Sequence, residues 1–193
     1  RKPRGMRRTS TLPIYRPRVD SPSSIIDDEQ FSEIWDWLPK MNKICDAQRI
    51  FSTETDGVSL KTLYQRCAEL EDEDQAIFAL IQTQTADIFG FFLPCPLKPT
   101  GGHYNHEATE AFLFTLHPEV QHFSAANENE NYFVADQQMI AFGSGNDGVA
   151  LTLDNELSAG MTKSSATFGN IPLTGDQSED FICRIMEVYA ISQ

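Results

Sequence analysis

Apolar residues recur along this chain with two different periods, and the change from one to the other divides it. In DDEQFSEIWDWLP, Phe31, Ile34, Trp35 and Leu38 fall at i, i+3, i+4 and i+7, acids fill the first turn and Pro39 closes it, which predicts an amphipathic helix. QRIFS (48–52) reads as a short strand and TETDG (53–57) as a turn. Ser59 is placed to cap a second helix, SLKTLYQRCAEL, in which Leu60, Leu63, Tyr64 and Cys67 keep helical spacing. The acid run ELEDEDQ then ends it as a solvated loop, since nothing in it alternates as a calcium loop does.

From Ala76 onward the pattern is that of strands. AIFALIQ, DIFGFFL, EAFLFTLH, VQHFSAA, NYFVAD, QMIAF, VALTL and FICRIMEVYAI are short runs rich in β-branched and aromatic residues, separated by turn residues. DIFGFFL is so apolar that both of its faces should be covered. The predicted fold class is α+β, mainly β: a two-sheet antiparallel β-sandwich with flanking N-terminal helices.

Before this body lies RKPRGMRRTSTLPIYRPRVDSPSS, rich in Arg, Pro and Ser and without apolar periodicity. Composition therefore predicts an extended basic tail over residues 1–24 and a single domain over 25–193. Charge sharpens the division. Residues 1–18 hold Arg1, Lys2, Arg4, Arg7, Arg8, Arg16 and Arg18 with no acid, while the rest carries 8 basic against 28 acidic side chains, a balance of −20. Such a body repels nucleic acid and anionic membranes, whereas the tail suits an acidic protein partner. Within the tail, RRTS and RTSTLP make Ser10 and Thr11 candidate phosphorylation sites, where phosphate would meet an arginine cluster.

Cys45, Cys67, Cys95 and Cys183 are spread singly, without a C-x-x-C pair, and read as reduced rather than as a zinc site or disulfide scaffold. No secretory signal is recognisable and no apolar run approaches the roughly 18 residues that span a bilayer. The expected location is cytoplasmic, or peripheral on endomembranes or a cytoskeletal assembly.

Candidate chemistry is sparse. GSGNDG (143–148) matches the dinucleotide fingerprint G-x-G-x-x-G, but VALTLD after it alternates as a strand, so no helix N-terminus stands ready for phosphate. Gly143, Gly145 and Gly148 are read instead as a structural turn between antiparallel strands. His103 and His106, with Glu107 and Glu110, lie in a glycine-bearing stretch that reads as a polar loop, and no metal or cofactor is expected. Two carboxylates stand out. Glu110 leads into an apolar strand, and Glu187 shares the alternating row of Phe181, Cys183, Ile185, Tyr189 and Ile191. A carboxylate facing a core is either a pocket acid or a structural acid satisfied by backbone and hydroxyl donors.

Taken in order, RIFSTETDGVSLKTLYQRC (49–67), DIFGFFL (87–93), GHYNHEATEAFLFTLHPE (102–119), NYFVADQQMIAFGSGNDGVALTLDNELSAG (131–160), SATFGNIPL (165–173) and FICRIMEVYAI (181–191) resemble the TLDc domain family. IWDWLP in the first helix is most similar to the branch that joins a TBC domain to a TLDc domain, as in Skywalker. Departures from the family pattern are Gly143-Ser144-Gly145 for its glycine run, Tyr189 for its usual C-terminal Trp, and NHEAT for its usual glycine-rich lead into the Glu-x-Phe motif. The resemblance implies a β-sandwich, protection against oxidative stress, and, in several members, binding to the vacuolar proton-pumping ATPase. It implies a non-catalytic interaction domain, regulating that ATPase or vesicle trafficking. Two alternatives remain: a structural subunit of a microtubule-associated assembly held to an acidic lattice such as tubulin by its basic tail, and a hydrolase or thiol antioxidant using Cys67 or Cys95.

Overall fold

The computed structural model describes residues 17–145 and 147–192. Helix α1 (Asp28–Trp37) starts where Asp27 and Gln30 exchange side-chain and backbone hydrogen bonds in a capping box of 2.8 and 3.1 Å. It stops at Leu38, which is extended because Pro39 follows. Strand β1 (Asp46–Ser52) comes next, then a helical turn, α2 (Thr53–Asp56), where the sequence pattern predicts a plain turn. Helix α3 (Leu60–Ala68) is capped by Ser59, whose Oγ accepts the Thr62 N–H.

Nine more strands follow among the described residues: β2 (Ile77–Thr83), β3 (Ile88–Leu93), β4 (Phe112–His117), β5 (Gln121–Ser124), β6 (Phe133–Ala135), β7 (Met139–Phe142), β8 (Leu151–Asp154), β9 (Ala159–Met161) and β10 (Asp180–Ser192). All strand pairings are antiparallel, and the predicted mainly-β α+β sandwich is what the chain forms. The first sheet runs β5-β4-β3-β2-β10-β1 and the second β10-β9-β8-β7-β6. β10 belongs to both. Its residues Asp180–Ile182 pair with β9, and from Cys183 onward it pairs with β2, and from Glu187 onward also with β1.

The inner faces of the sheets meet in one core. Phe91 of β3 packs on Phe142 of β7 with ring centroids 4.2 Å apart, and Phe89 meets Phe181 edge-on at 5.0 Å. Removing each such phenylalanine from water is worth about 1.5–3 kcal/mol. Gly160 of β9 stands opposite Phe181, whose ring occupies the space a Cβ would need. The outer face of the first sheet carries a second core, in which Phe31 of α1, stacked on Trp35, lies against Phe78 and Tyr189. Both faces of β3 are therefore buried, as its composition requires.

A register shift between Cys183 and Ile185 alters the row on β10 that alternation predicts. Ahead of this bulge Phe181 and Cys183 face the inter-sheet core; beyond it Met186, Val188 and Ala190 do, and Ile185, Tyr189 and Ile191 turn towards α1. Glu187 thus shares the α1 side with Ile185, Tyr189 and Ile191 and not with Phe181 or Cys183.

Candidate functional site

Glu187 has no exposed surface, and its carboxylate is the polar centre of the α1 side. Its Oε1 accepts the Ser24 N–H at 2.8 Å and the Ser23 hydroxyl at 3.1 Å, and its Oε2 accepts the Tyr189 hydroxyl at 2.8 Å. Ser23 Oγ in turn accepts the N–H groups of Ile25 and Ile26. Burial first, then the hydrogen bond and charge of Glu187, push the Tyr189 phenol up, so it stays a donor. Three neutral donors converge on one buried acid. That arrangement has the form of the structural acid satisfied by backbone and hydroxyl groups.

The donors from Ser23 and Ser24 come from a strap that composition assigns to the tail. Residues 18–20 run beside β1: the Ala47 N–H donates to Arg18 O at 2.9 Å, and the Asp20 N–H donates to Ala47 O at 3.4 Å. The Arg49 N–H donates to Asp20 Oδ1 at 2.9 Å and the Arg18 N–H to Asp46 Oδ1 at 2.9 Å, while the Arg49 guanidinium reaches Pro22 O. Polar groups, not apolar periodicity, bind residues 18–24 to the sheet, which is why a hydrophobic pattern does not reveal them. Arg18 itself is exposed; Arg1, Lys2, Arg4, Arg7, Arg8, Arg16, Ser10 and Thr11 lie outside the described residues.

Glu110 lies on the exposed turn before β4, away from Glu187. His103 and His106 are also exposed; His106 Nδ1 lies 2.9 Å from Glu130 O. Among the described residues no group of His, Cys, Asp and Glu is placed to hold a metal ion.

The glycine stretch joins β7 to β8, which pair directly, Phe142 opposite Leu151. Strand, not helix, stands on both sides. Gly143, Gly145 and Gly148 have φ of 74°, 154° and 137°. Ser144 O accepts the N–H groups of Ala166 and Thr167 at 3.0 and 3.2 Å, and the Ser144 N–H donates to Thr167 Oγ1 at 2.8 Å. Of the N–H groups that a phosphate cradle would offer to a ligand, that of Ser144 is thus engaged with Thr167 and that of Gly143 with Tyr132 O.

All four cysteines are free thiols, with Cys45, Cys67 and Cys183 buried and Cys95 half-buried. Burial is the main cause that raises each of them, Cys67 to about 11 and Cys183 to about 12 from the ordinary 9.0. Lys98 only partly opposes this at Cys95. Thiols held protonated are poor nucleophiles at neutral pH. With iodoacetamide at pH 7 we expect Cys95 to label first and Cys67 and Cys183 only on unfolding, as read by mass spectrometry. Because the folded state holds these protons more tightly, their stabilisation is fully present below pH 9 and is lost as pH rises towards 11–12.

A family model for the TLDc domain matches residues 19–192. The chain belongs to the TLDc domain family. This TLDc domain is 32% identical to Oxidation resistance protein 1 of Xenopus tropicalis over 176 residues, 91% of this chain and 19% of the relative. Human Oxidation resistance protein 1 is 31% identical over the same span, with the same shares of each chain. Nuclear receptor coactivator 7 of Homo sapiens is 30% identical over 179 residues, 93% of this chain and 18% of the relative. The TLDc chain spans about a fifth of the length of these relatives. No helix among the described residues is long and apolar enough to cross a membrane.

Four features escape the sequence pattern: α2, the strap, the bulge and β9. Ser23-Ser24 ahead of a capped helix is a visible signal, but its acceptor lies 164 positions away.

Proposed function

We propose that this chain is a non-catalytic interaction domain linked to resistance to oxidative stress, which docks on the vacuolar proton-pumping ATPase or acts in vesicle trafficking at its membrane. What carries the reading is family membership together with relatives named for oxidation resistance. Two observations agree with it: Glu187 is occupied by three donors, and the thiols are raised by burial. An acidic body of −20 beyond residue 18 favours basic protein surfaces. Purified chain immobilised on resin is expected to retain ATPase subunits from a membrane extract. Absence of every subunit in both ATP-replete and ATP-depleted extract overturns the partner.

The charge split supports a second reading, a structural subunit whose basic tail lies on an acidic lattice such as tubulin, with Ser10 and Thr11 as sites where phosphate would weaken that grip. Removing residues 1–16 leaves the strap on β1 in place. Lattice binding is then abolished, whereas capture of the ATPase by the sandwich survives.

A further inference from the structure

The two sheets differ in what covers them. The outer face of the first lies under α1, whereas on the second Met139, Met161, Asp180 and Ile182 are exposed, Thr152 and Asp154 half-buried and Ala141 buried. Register sets them in two rows. One runs Asp180, Met161, Thr152, Ala141, Val134 from β10 to β6. The other has Ile182 beside Ala159, and Met139 beside Asp154, whose Oδ2 accepts the Ala159 N–H. Alternation that places polar residues on a solvated face fails here: Ile182, Met161 and Met139 are 42%, 41% and 38% exposed.

At its β10 edge the apolar strip meets a cleft of about 240 Å³ whose walls include Ile182, Asp87, Asp176 and Asp180. Asp87 is fixed there by the Gly175 N–H and the Thr85 hydroxyl, each at 2.9 Å. None of these three acids has a salt bridge among the described residues. Of the cations nearby, Lys163 is already paired with Glu179 at 3.5 Å, and Arg184 stands exposed at the bulge. A strip of flexible apolar side chains beside an unneutralised acidic cleft calls for an apolar surface with a cation at its edge.

We propose that the open face of the second sheet docks an amphipathic helix of a partner protein, its apolar side on Met161, Ile182 and Met139 and a Lys or Arg entering the cleft of Asp87, Asp176 and Asp180. The fold already solves the same problem once, with α1 on the first sheet. From β7 to β10 the strip crosses four strands, roughly 15 Å, the length of about three helical turns. A second copy of this chain would press one acidic face, with Asp154 and Asp180, against another, and an anionic membrane would be repelled. The inference rests on the reading of the chain as an interaction domain and adds the chemistry of its partner; its test does not involve the ATPase.

The probe is a fluorescein-labelled synthetic helix of roughly 14 residues, with leucines on one face and Lys and Arg along one flank. A twin carries Glu in place of Lys and Arg. Anisotropy titration with the 193-residue chain is expected to show saturable binding of the basic peptide and none of its twin. Met161→Glu, Ile182→Glu and Asp180→Lys each weaken it about tenfold or more, and Met41→Glu, an exposed position outside this face, leaves it unchanged. These side chains are exposed, so melting temperatures should match the parent; if Ile182→Glu does not fold, Met161→Glu decides. Equal affinity across the variants, or equal binding of the acidic twin, overturns the proposal. So does tighter binding once residues 1–16 are removed, which would make the chain's own tail the occupant. Self-association abolished by Met161→Glu would assign the face to a second copy and overturn it too. Peptide binding intact with no ATPase capture refutes the partner named above and leaves this face standing.

Discussion

Glu187→Ala is expected to lower the unfolding free energy by about 3 kcal/mol, because the buried Tyr189 hydroxyl loses its acceptor and the removed side chain leaves a hole at a site without exposed surface. For a domain of this size that is a fall of roughly 6–12 °C in melting temperature. Ser23 and Ser24 can turn to water; Tyr189 is wholly buried and cannot. Glu187→Gln is the informative comparison. Its amide oxygen still accepts from Ser24 and its NH2 can donate to the Tyr189 oxygen, so the expected loss is about 1 kcal/mol. Urea denaturation measures both. A Gln variant that keeps its stability but loses partner binding would give the carboxylate a chemical role and refute the structural one. The same series reads out the strap: Glu187→Ala should speed proteolysis between residues 17 and 27, since the bonds from Ser23 and Ser24 are what tie that segment to β10.

Gly145→Val should yield little folded protein, an effect of about 4 kcal/mol or more. Its φ of 154° is denied to a β-branched residue, and a Cβ there would stand 2.5 Å from Ala166 N and 2.8 Å from Ala166 Cβ. Ala166 cannot retreat without breaking its bond to Ser144 O. Gly57 separates conformational strain from collision. It too has positive φ, 89°, but open space around it, so Gly57→Ala should cost only about 1 kcal/mol. Thermal melts in the presence of ATP or NAD are expected to superimpose on those without. A clear upward shift would revive the nucleotide reading of residues 143–148.

The parts of the fold legible in sequence are those where one apolar pattern persists over many residues. Helices α1 and α3 announce themselves by helical spacing, and β2, β3, β4 and β10 as apolar runs rich in β-branched and aromatic residues. β9, with the sequence AGM, has neither length nor β-branched residues; its Gly160 leaves room for the tip of the Phe181 ring where a Cβ would otherwise stand. The candidate site divides similarly. Alternation predicts that Glu187 turns inward, and it does; the bulge at Arg184 changes its companions without changing that outcome. What satisfies it depends on hydrogen bonds spanning 163 and 164 positions, which no local pattern encodes. The three glycines are legible as a turn because strands stand on both sides, but the partner of that turn, residues 166–167, is set by tertiary packing.

Strand β10 carries a consequence for how the chain comes to be folded. Until it arrives, β1 has no neighbour in the first sheet, β2 has only β3, and β9 is the bare end of the second. A growing chain therefore holds two unfinished sheets with open edges until residue 180 and beyond have left the ribosome. Closure is a single late event of long sequence separation, and a chain cut short just before it would present three adhesive strand edges at once. Truncation there is thus expected to fail by aggregation rather than by loss of one strand's worth of stability.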